Sequence, residues 1–139
     1  MAEAEQSRGR NIMFKIREIQ SKDNASVENI IRTCLTEFGG NREGTAWCDP
    51  DLGRFSEIYN KPGYKYWVAE KENGVAHELI KLCLDYATQY YEKCYLETFS
   101  NMIAAQKFYQ KHGFQKLDKP YLDTGHYSCD MWYIEELNK

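Results

Sequence analysis

The stretch from Asn101 to Phe114 constrains the fold of this 139-residue chain more than any other. Asn101, Ala105 and Tyr109 are spaced four residues apart, so a helix places them on one face. Gly113 follows the last turn, at the position where helices commonly end in a left-handed residue. Strand-like runs lie directly before and after this stretch. A strand, a helix and a second strand in direct succession predict an α/β domain.

Hydrophobic periodicity extends this alternation over the rest of the chain. Strands are predicted at 13–18, 64–70, 93–99, 114–117 and 127–137, and helices at 27–38, 52–59, 75–91 and 101–112. The resulting order, β-α-α-β-α-β-α-β-β, predicts one α/β domain around a mixed sheet, covering residues 13–139. Residues 1–12 are polar and predict a disordered tail or an added leader sequence.

The composition argues against several classes of function. Hydrophobic residues make up 42% of the chain and charged residues 28%, and the formal net charge is −3. Nucleic-acid binding needs a concentrated basic face and a bilayer span needs about 20 apolar residues, so neither nucleic acid nor membrane is an expected partner. The five cysteines are odd in number and form no C-x-x-C pair. They predict free thiols in a reducing cytoplasm and no metal site.

The first candidate for chemistry is the turn Gly74-Val75-Ala76, before the helix predicted at 75–91. Backbone N–H groups at a helix N-terminus attract phosphate, and small residues such as Gly74 and Ala76 let a pyrophosphate approach closely. The alternative is an ordinary glycine turn that leads into a helix.

The second candidate is the face formed by Asn101, Ala105 and Tyr109. It begins where a strand ends, which is where α/β sheets bind their ligands. Asn101 either offers its amide to a ligand or caps its own helix. The Tyr109 phenol can donate a proton to a leaving group, whereas the alternative for Phe108 and Tyr109 is a place in the core.

The third candidate is the segment 124–130, in which His126, Cys129 and Asp130 lie within five residues of one another. That grouping suggests a nucleophilic site. Members of a catalytic triad usually come from separate segments, however. If the segment is a strand, His126, Ser128 and Asp130 share one face and Cys129 points to the other. The sequence therefore favours a structural role, and a cysteine or serine hydrolase ranks last among the hypotheses.

The segment 101–114 resembles a segment of the GCN5-related N-acetyltransferases, the GNAT family. That family segment contains Asn, Ala, Phe-Tyr and Gly-Phe in the same order. Four other segments are similar to parts of that family: its second strand (60–70), the helix after its pyrophosphate loop (75–80), its fifth strand (95–98) and its closing hairpin (124–133). The likeness runs from Met13 to the C-terminus.

This resemblance implies transfer of an acetyl group from acetyl-CoA to an amine of a small molecule or peptide. It implies that Tyr109 protonates the departing thiolate. The residues implied to bind the cofactor are Gly74, Val75, Ala76, Asn101, Ala105 and Phe108.

The acceptor pocket implied by the resemblance lies between the first two helices and the C-terminal hairpin. Phe38, Trp47 and Trp132 are candidates for its walls. Glu37 or Asp49 is a candidate for attracting a cationic amine.

The chain departs from the family pattern after Glu70. There the family continues with two more strands and a glycine-containing loop, but only four residues follow here before the predicted helix. Two central strands with their turns, roughly 25 to 40 residues at usual strand and loop lengths, are missing. An exposed sheet edge invites pairing with a second copy, so we predict a homodimer. The alternative function is a truncated or inactive GNAT-like scaffold that serves as a binding or interaction module.

Overall fold

The computed structural model of the chain describes residues 3–6, 14–70 and 75–138. Its strands are β1 (Glu3–Gln6), β2 (Phe14–Glu18), β3 (Asn60–Lys61), β4 (Tyr64–Lys65), β5 (Trp67–Glu70), β6 (Lys93–Thr98), β7 (Gln115–Leu117) and β8 (Met131–Glu136). Its helices are α1 (Asn24–Glu37), α2 (Phe55–Ile58), α3 (Ala76–Ala87) and α4 (Ile103–Lys111). The predicted α/β class is confirmed.

The strands are divided between separate sheets and do not form one continuous mixed sheet. One sheet has the order β1-β2-β5 and another the order β6-β8-β7, both antiparallel, while β3 and β4 form a small hairpin. Among the described residues, β5 pairs only with β2, and β6 pairs only with β8. Only five residues separate Glu70 from Ala76 in the sequence, fewer than two usual strands with their turns require.

Residues 3–6, within the segment predicted to be a disordered tail or an added leader, form β1. The register runs from Glu3 opposite Arg17 to Gln6 opposite Phe14. An unpaired strand edge carries free N–H and C=O groups that an extended neighbour can satisfy, and β2 offers such an edge. The rest of the predicted tail lies outside the described residues.

Two predicted strands differ in extent from the observed ones. The strand predicted at 64–70 is split at Tyr66 into β4 and β5, and the strand predicted at 127–137 begins only at Met131. Residues before Met131 are held by another loop, because the Ser128 amide donates to the Gly44 carbonyl at 2.7 Å. Gly113, predicted to be left-handed, has a φ of 96°.

The fully buried core is small. Its apolar members are Ile16, Ile19, Val27, Leu52, Trp67, Val75, Phe99, Phe114 and Tyr133. No residue of α3 or α4 is fully buried. Both helices therefore cover the sheets with faces that remain partly open to solvent.

A buried cation joins the first sheet to α1. The Arg17 side chain, on β2, is 7% exposed and donates to Asp23 Oδ2 and to Glu70 Oε1, both at 2.7 Å. The bond from Arg17 lowers the pKa of Asp23 below its ordinary value. Arg17 thus connects β2, the turn before α1 and the end of β5.

Among the described residues, no helix combines the length and the apolar character that crossing a bilayer requires.

Candidate functional site

Helix α4 starts two residues later than predicted, and Asn101 does not cap it. The first helical residue is Ile103, and its N-cap, Met102, makes no side-chain capping bond. The Asn101 side chain instead donates to the Phe38 carbonyl at 3.0 Å, just past the end of α1. Asn101 is exposed and lines a cleft of about 220 Å³ together with Phe38 and Asp130. Its amide joins the C-terminus of α1 to the N-terminus of α4.

Tyr109 lies on the face of α4 that packs on the second sheet. Its ring centroid is 5.8 Å from that of Phe114 and 6.2 Å from that of Tyr133. Burial raises the pKa of the Tyr109 phenol, and the Cys34 thiol of α1 adds to the effect. The phenol therefore stays protonated at neutral pH, which is the state that a proton donor needs.

The residues predicted to bind pyrophosphate lie at the start of α3. Gly74 falls outside the described residues. Val75 is buried and precedes the helix, and its carbonyl accepts from the Leu79 amide at 3.0 Å. Ala76 is exposed and is the first helical residue, so the amides of this turn have no partner within the helix.

The N-terminus of α3 contacts the C-terminal end of α4. Asn101 lies at the opposite, N-terminal end of α4. His77 Nδ1 is 2.7 Å from His112 Nε2, and the His77 ring centroid is 5.5 Å from that of Phe108. Phe108 thus packs at this junction between the two helices. The nine residues of α4, about 14 Å of helical rise, lie between Met102 and His112. The predicted cofactor residues are distributed along α4 and do not converge at one point.

A cleft with converging polar groups lies on the second sheet, beside the 118–130 loop. It has a volume of about 430 Å³. Glu97 of β6 lines it with a side chain that is only 8% exposed, and Glu97 Oε2 accepts from the Tyr95 hydroxyl at 2.8 Å. The hydroxyl of Thr124 donates to Glu97 Oε1. Sequence reasoning did not single out Glu97, because alternation along a strand does not reveal which loop covers it.

His126 links this cleft to the loop that follows α1. Its Nε2 lies 3.0 and 3.1 Å from the two carboxylate oxygens of Asp49, and its Nδ1 lies 3.9 Å from Glu97 Oε1. His126 therefore stands between two carboxylates from distant parts of the chain. Within the described residues, no group of three or more His, Cys, Asp and Glu side chains is suited to a metal ion.

Gly44 allows the loop that contains Asp49 to lie against the loop that contains His126. Gly44 has a φ of 80°, and a Cβ there would lie 2.5 Å from Ser128 Oγ. The Ser128 hydroxyl donates to the Glu43 carbonyl at 2.8 Å, next to the backbone bond between Ser128 and Gly44. This contact holds the loop of Asp49 against the loop of His126.

The other residues predicted for an acceptor pocket are dispersed. Trp132 lines the cleft beside Glu97, whereas Phe38 lines the cleft beside Asn101. The Arg32 guanidinium stacks on the Trp47 ring at 4.8 Å, so that ring is covered by a neighbour. Glu37 is exposed at the end of α1.

The segment 124–130 is a loop, so the expected sharing of one strand face does not occur. Asp130 accepts from the amide and the hydroxyl of Ser100, at 2.8 and 2.6 Å. Burial raises the pKa of the Cys129 thiol to about 11. A thiol that is almost entirely protonated at neutral pH is a poor nucleophile, which argues against the hydrolase hypothesis.

The model of the acetyltransferase (GNAT) domain family matches residues 51–122, just over half of the chain. The chain belongs to the GNAT family. The match includes β5, α3, β6 and α4, and its range contains all of the predicted cofactor residues and Tyr109. Membership supports acetyl transfer as the general activity of this GNAT chain.

A protein of Escherichia coli strain K12, described as the uncharacterized N-acetyltransferase YjgM, is similar to this GNAT chain. The two are 25% identical over 157 residues, which cover 88% of this chain and 94% of that protein. Because 88% of 139 residues is about 122, about 35 aligned positions of YjgM have no counterpart here. The shortfall agrees with the two strands that the sequence predicts to be missing.

The fold is also that of a solved GNAT structure. The crystal structure of a GNAT-family acetyltransferase from Staphylococcus aureus Mu50 at 2.20 Å resolution superposes with a TM-score of 0.68. The match covers 89% of this chain and 99% of that chain at 20% sequence identity. The predicted GNAT fold is therefore confirmed.

Tyr109 and the Glu97 cleft lie on opposite faces of the second GNAT sheet. Glu97 is opposite Trp132 in the register, while the neighbouring Leu96 is opposite Tyr133. Successive side chains of a strand point to opposite faces, so Trp132 faces the cleft and Tyr133 faces Tyr109 on α4. The edge of β6 that has no partner strand among the described residues borders both faces.

Proposed function

We propose that this chain is an N-acetyltransferase that moves the acetyl group of acetyl-CoA to an amine. The observation that carries the proposal is the buried phenol of Tyr109, which α4 of the GNAT fold packs against the rings of Phe114 and Tyr133. A thiolate leaving group needs a proton, and a buried phenol with a raised pKa is a suitable donor.

The proposed cofactor path runs along α4. Backbone N–H groups at Gly74, Val75 and Ala76 bind the pyrophosphate, where the free amides and the helix dipole favour negative charge. Phe108 and Ala105 contact the arm of the cofactor, and Asn101 binds it at the other end of the helix. For Asn101, binding requires the side chain to give up its bond to the Phe38 carbonyl.

The proposed chemistry divides between the two faces of the second sheet. The thioester lies at the free edge of β6, where Tyr109 reaches the sulfur from one face and the acceptor amine approaches from the other. The nitrogen attacks the thioester carbonyl, the C–N bond forms as the C–S bond breaks, and Tyr109 protonates the thiolate. The five unpaired thiols suit a reducing compartment, so we propose the cytoplasm as the location.

Calorimetric titration with acetyl-CoA tests the proposal. Binding in the micromolar range supports the enzyme, and no heat at millimolar ligand supports an inactive scaffold instead.

If acetyl-CoA binds, Tyr109→Phe is expected to lower kcat at least about 100-fold while leaving acetyl-CoA affinity nearly unchanged. Tyr64→Phe removes an exposed phenol and is the matched control. Loss of acetyl-CoA binding in Tyr109→Phe would assign Tyr109 a structural role.

A further inference from the structure

Glu97 is a nearly buried carboxylate, and the basic side chain recorded within ion-pair distance of it is that of His126. Its side chain is 8% exposed, and its two oxygens accept from the hydroxyls of Tyr95 and Thr124. Among the described residues, no Lys or Arg lies within ion-pair distance of it. A buried negative charge is costly unless it meets an opposite charge, so this position favours a cation brought by a ligand.

His126 has one ring nitrogen engaged and one available. Nε2 lies 3.0 Å from Asp49, so a proton on Nε2 can be donated to that carboxylate, and the neutral ring in this tautomer has its lone pair on Nδ1. Nδ1 is 3.9 Å from Glu97 Oε1, beyond hydrogen-bond distance. A small donor between the two atoms can bond to both.

The walls of the cleft also restrict which ligands can bind there. They include Pro120, Tyr121, Leu122 and Trp132. Tyr121 and Leu122 are 51% and 53% exposed, so apolar surface remains uncovered at the opening. Among the described residues that line the cleft, Glu97 and Asp123 carry acidic side chains and there is no Lys or Arg. The cleft thus favours cations over anions, and flat or apolar bodies over highly polar ones.

We propose that this cleft is the acceptor site and that it takes a primary amine attached to a flat, apolar body. Glu97 binds the ammonium group, Tyr121 and Trp132 contact the body, and His126 Nδ1 takes a proton from the nitrogen. Asp49 is a positioning residue that fixes the tautomer of His126. The proton step rests on the acetyl transfer proposed above, whereas binding of the amine does not.

In the proposed reaction, every proton that leaves the amine has an acceptor. The bound R–NH₃⁺ gives one proton to His126 and becomes the R–NH₂ nucleophile. As the C–N bond forms and the C–S bond breaks, the nitrogen loses a second proton to solvent. The thiolate takes a proton from Tyr109, which is reprotonated from solvent, and His126 releases its proton to solvent. The net products are the amide, the free thiol of CoA and one proton.

Binding is tested by calorimetry of the full chain with 2-phenylethylamine and with 3-phenylpropionate, which has a similar body but a negative charge. We expect heat from the amine and none from the acid. Glu97→Gln is expected to weaken amine binding at least tenfold. Glu92→Gln, which removes an exposed carboxylate outside the cleft, leaves it unchanged. Equal binding of amine and acid, no amine binding at all, or full affinity in Glu97→Gln would each overturn the proposal.

Catalysis is tested by steady-state kinetics with 2-phenylethylamine and acetyl-CoA. We expect His126→Ala to lower kcat about 100-fold with unchanged acetyl-CoA affinity, and added imidazole to restore part of the rate. Asp49→Asn should lower kcat with little change in KM for the amine. Activity of His126→Ala equal to that of the parent, or no response to imidazole, removes the proton step.

The two proposals can fail separately. If acetyl-CoA binds and amines are acetylated without dependence on Glu97 and His126, the assignment of the cleft is wrong and the acetyltransferase stands. If 2-phenylethylamine binds in a Glu97-dependent manner but acetyl-CoA does not bind, the amine site stands and acetyl transfer falls.

Discussion

At the scale of single residues, Gly44 decides whether the loops of Asp49 and His126 meet. A Cβ at this position would lie 2.5 Å from Ser128 Oγ and 2.7 Å from the Tyr127 ring, on a backbone with positive φ. We expect Gly44→Ala to lower the free energy of unfolding by about 2–3 kcal/mol, measured by urea denaturation, because strain and a clash add.

Gly125→Ala is the matched control for this prediction. Gly125 has a φ of 81° in the same pair of loops, but a Cβ there meets nothing within 4 Å. Its replacement should cost only the backbone strain, about 1 kcal/mol. Equal losses in the two variants would show that the contact between Gly44 and Ser128 contributes nothing.

Thiol reactivity is a second property of single residues. Burial raises the pKa of Cys94 and of Cys129 to about 11, so at pH 8 only about one thiol in a thousand is ionised at either position. We expect alkylation by iodoacetamide, mapped by mass spectrometry, to modify the exposed Cys48 well before these two. Rapid labelling of Cys129 would contradict this prediction and would support a nucleophilic site in the segment 124–130.

At the scale of elements, the ion pair of Arg17 and Asp23 holds α1 against the first sheet. The Asp23 side chain is 17% exposed, and removing one partner of a largely buried pair typically costs about 3 kcal/mol. We expect Asp23→Ala to lose about that much stability at pH 7 in urea unfolding. Asp51→Ala, which removes an exposed partner of Arg54, should lose less than about 1 kcal/mol.

The same pair predicts a dependence on pH. Arg17 lowers the pKa of folded Asp23 below 3.8, its ordinary value. The stabilisation is therefore fully present above that pH and is lost as the pH falls through the lower, folded-state pKa. The difference in unfolding free energy between the parent and Asp23→Ala should be constant from pH 7 to pH 5 and shrink towards pH 2. A difference that stays constant down to pH 2 would mean that the Asp23 charge does not contribute.

At the scale of the whole molecule, the free strand edges predict self-association. Among the described residues, β5 and β6 each have a partner on one side only. Such edges pair with other chains unless they are covered. We expect multi-angle light scattering at tens of micromolar to give twice the chain mass of 16.4 kDa. A monomer under these conditions would show that the edges are protected within the chain.

Local signals were enough to predict much of the second half of the fold. The helical spacing from Asn101 to Tyr109 and the left-handed Gly113 depend on neighbours within one or two turns, and α4 formed close to its predicted bounds. The division of the sheet was harder to predict. Strand pairing depends on which partner is present, and a missing partner leaves no pattern in the strands that remain.

The candidate site was only partly accessible from the sequence. Tyr109 could be proposed from spacing and resemblance, although its role stays a prediction. Asp49 and His126 are 77 residues apart, and Asn101 is 63 residues from the carbonyl that it binds. Contacts of that separation have no periodicity, because they depend on how two loops dock. Glu97 could be identified as a candidate site residue only from the fold of the 118–130 loop over β6.

The short link between Glu70 and Val75 has a consequence for protein engineering. It joins two sheets in which, among the described residues, β5 and β6 each have a partner strand on one side only, and about 35 aligned positions of the Escherichia coli relative have no counterpart in this chain. Lengthening a surface connection costs little chain entropy. The link is therefore a suitable place to insert an additional segment. The gene can also be divided at this link. The two fragments can then be expressed separately and tested for reassembly.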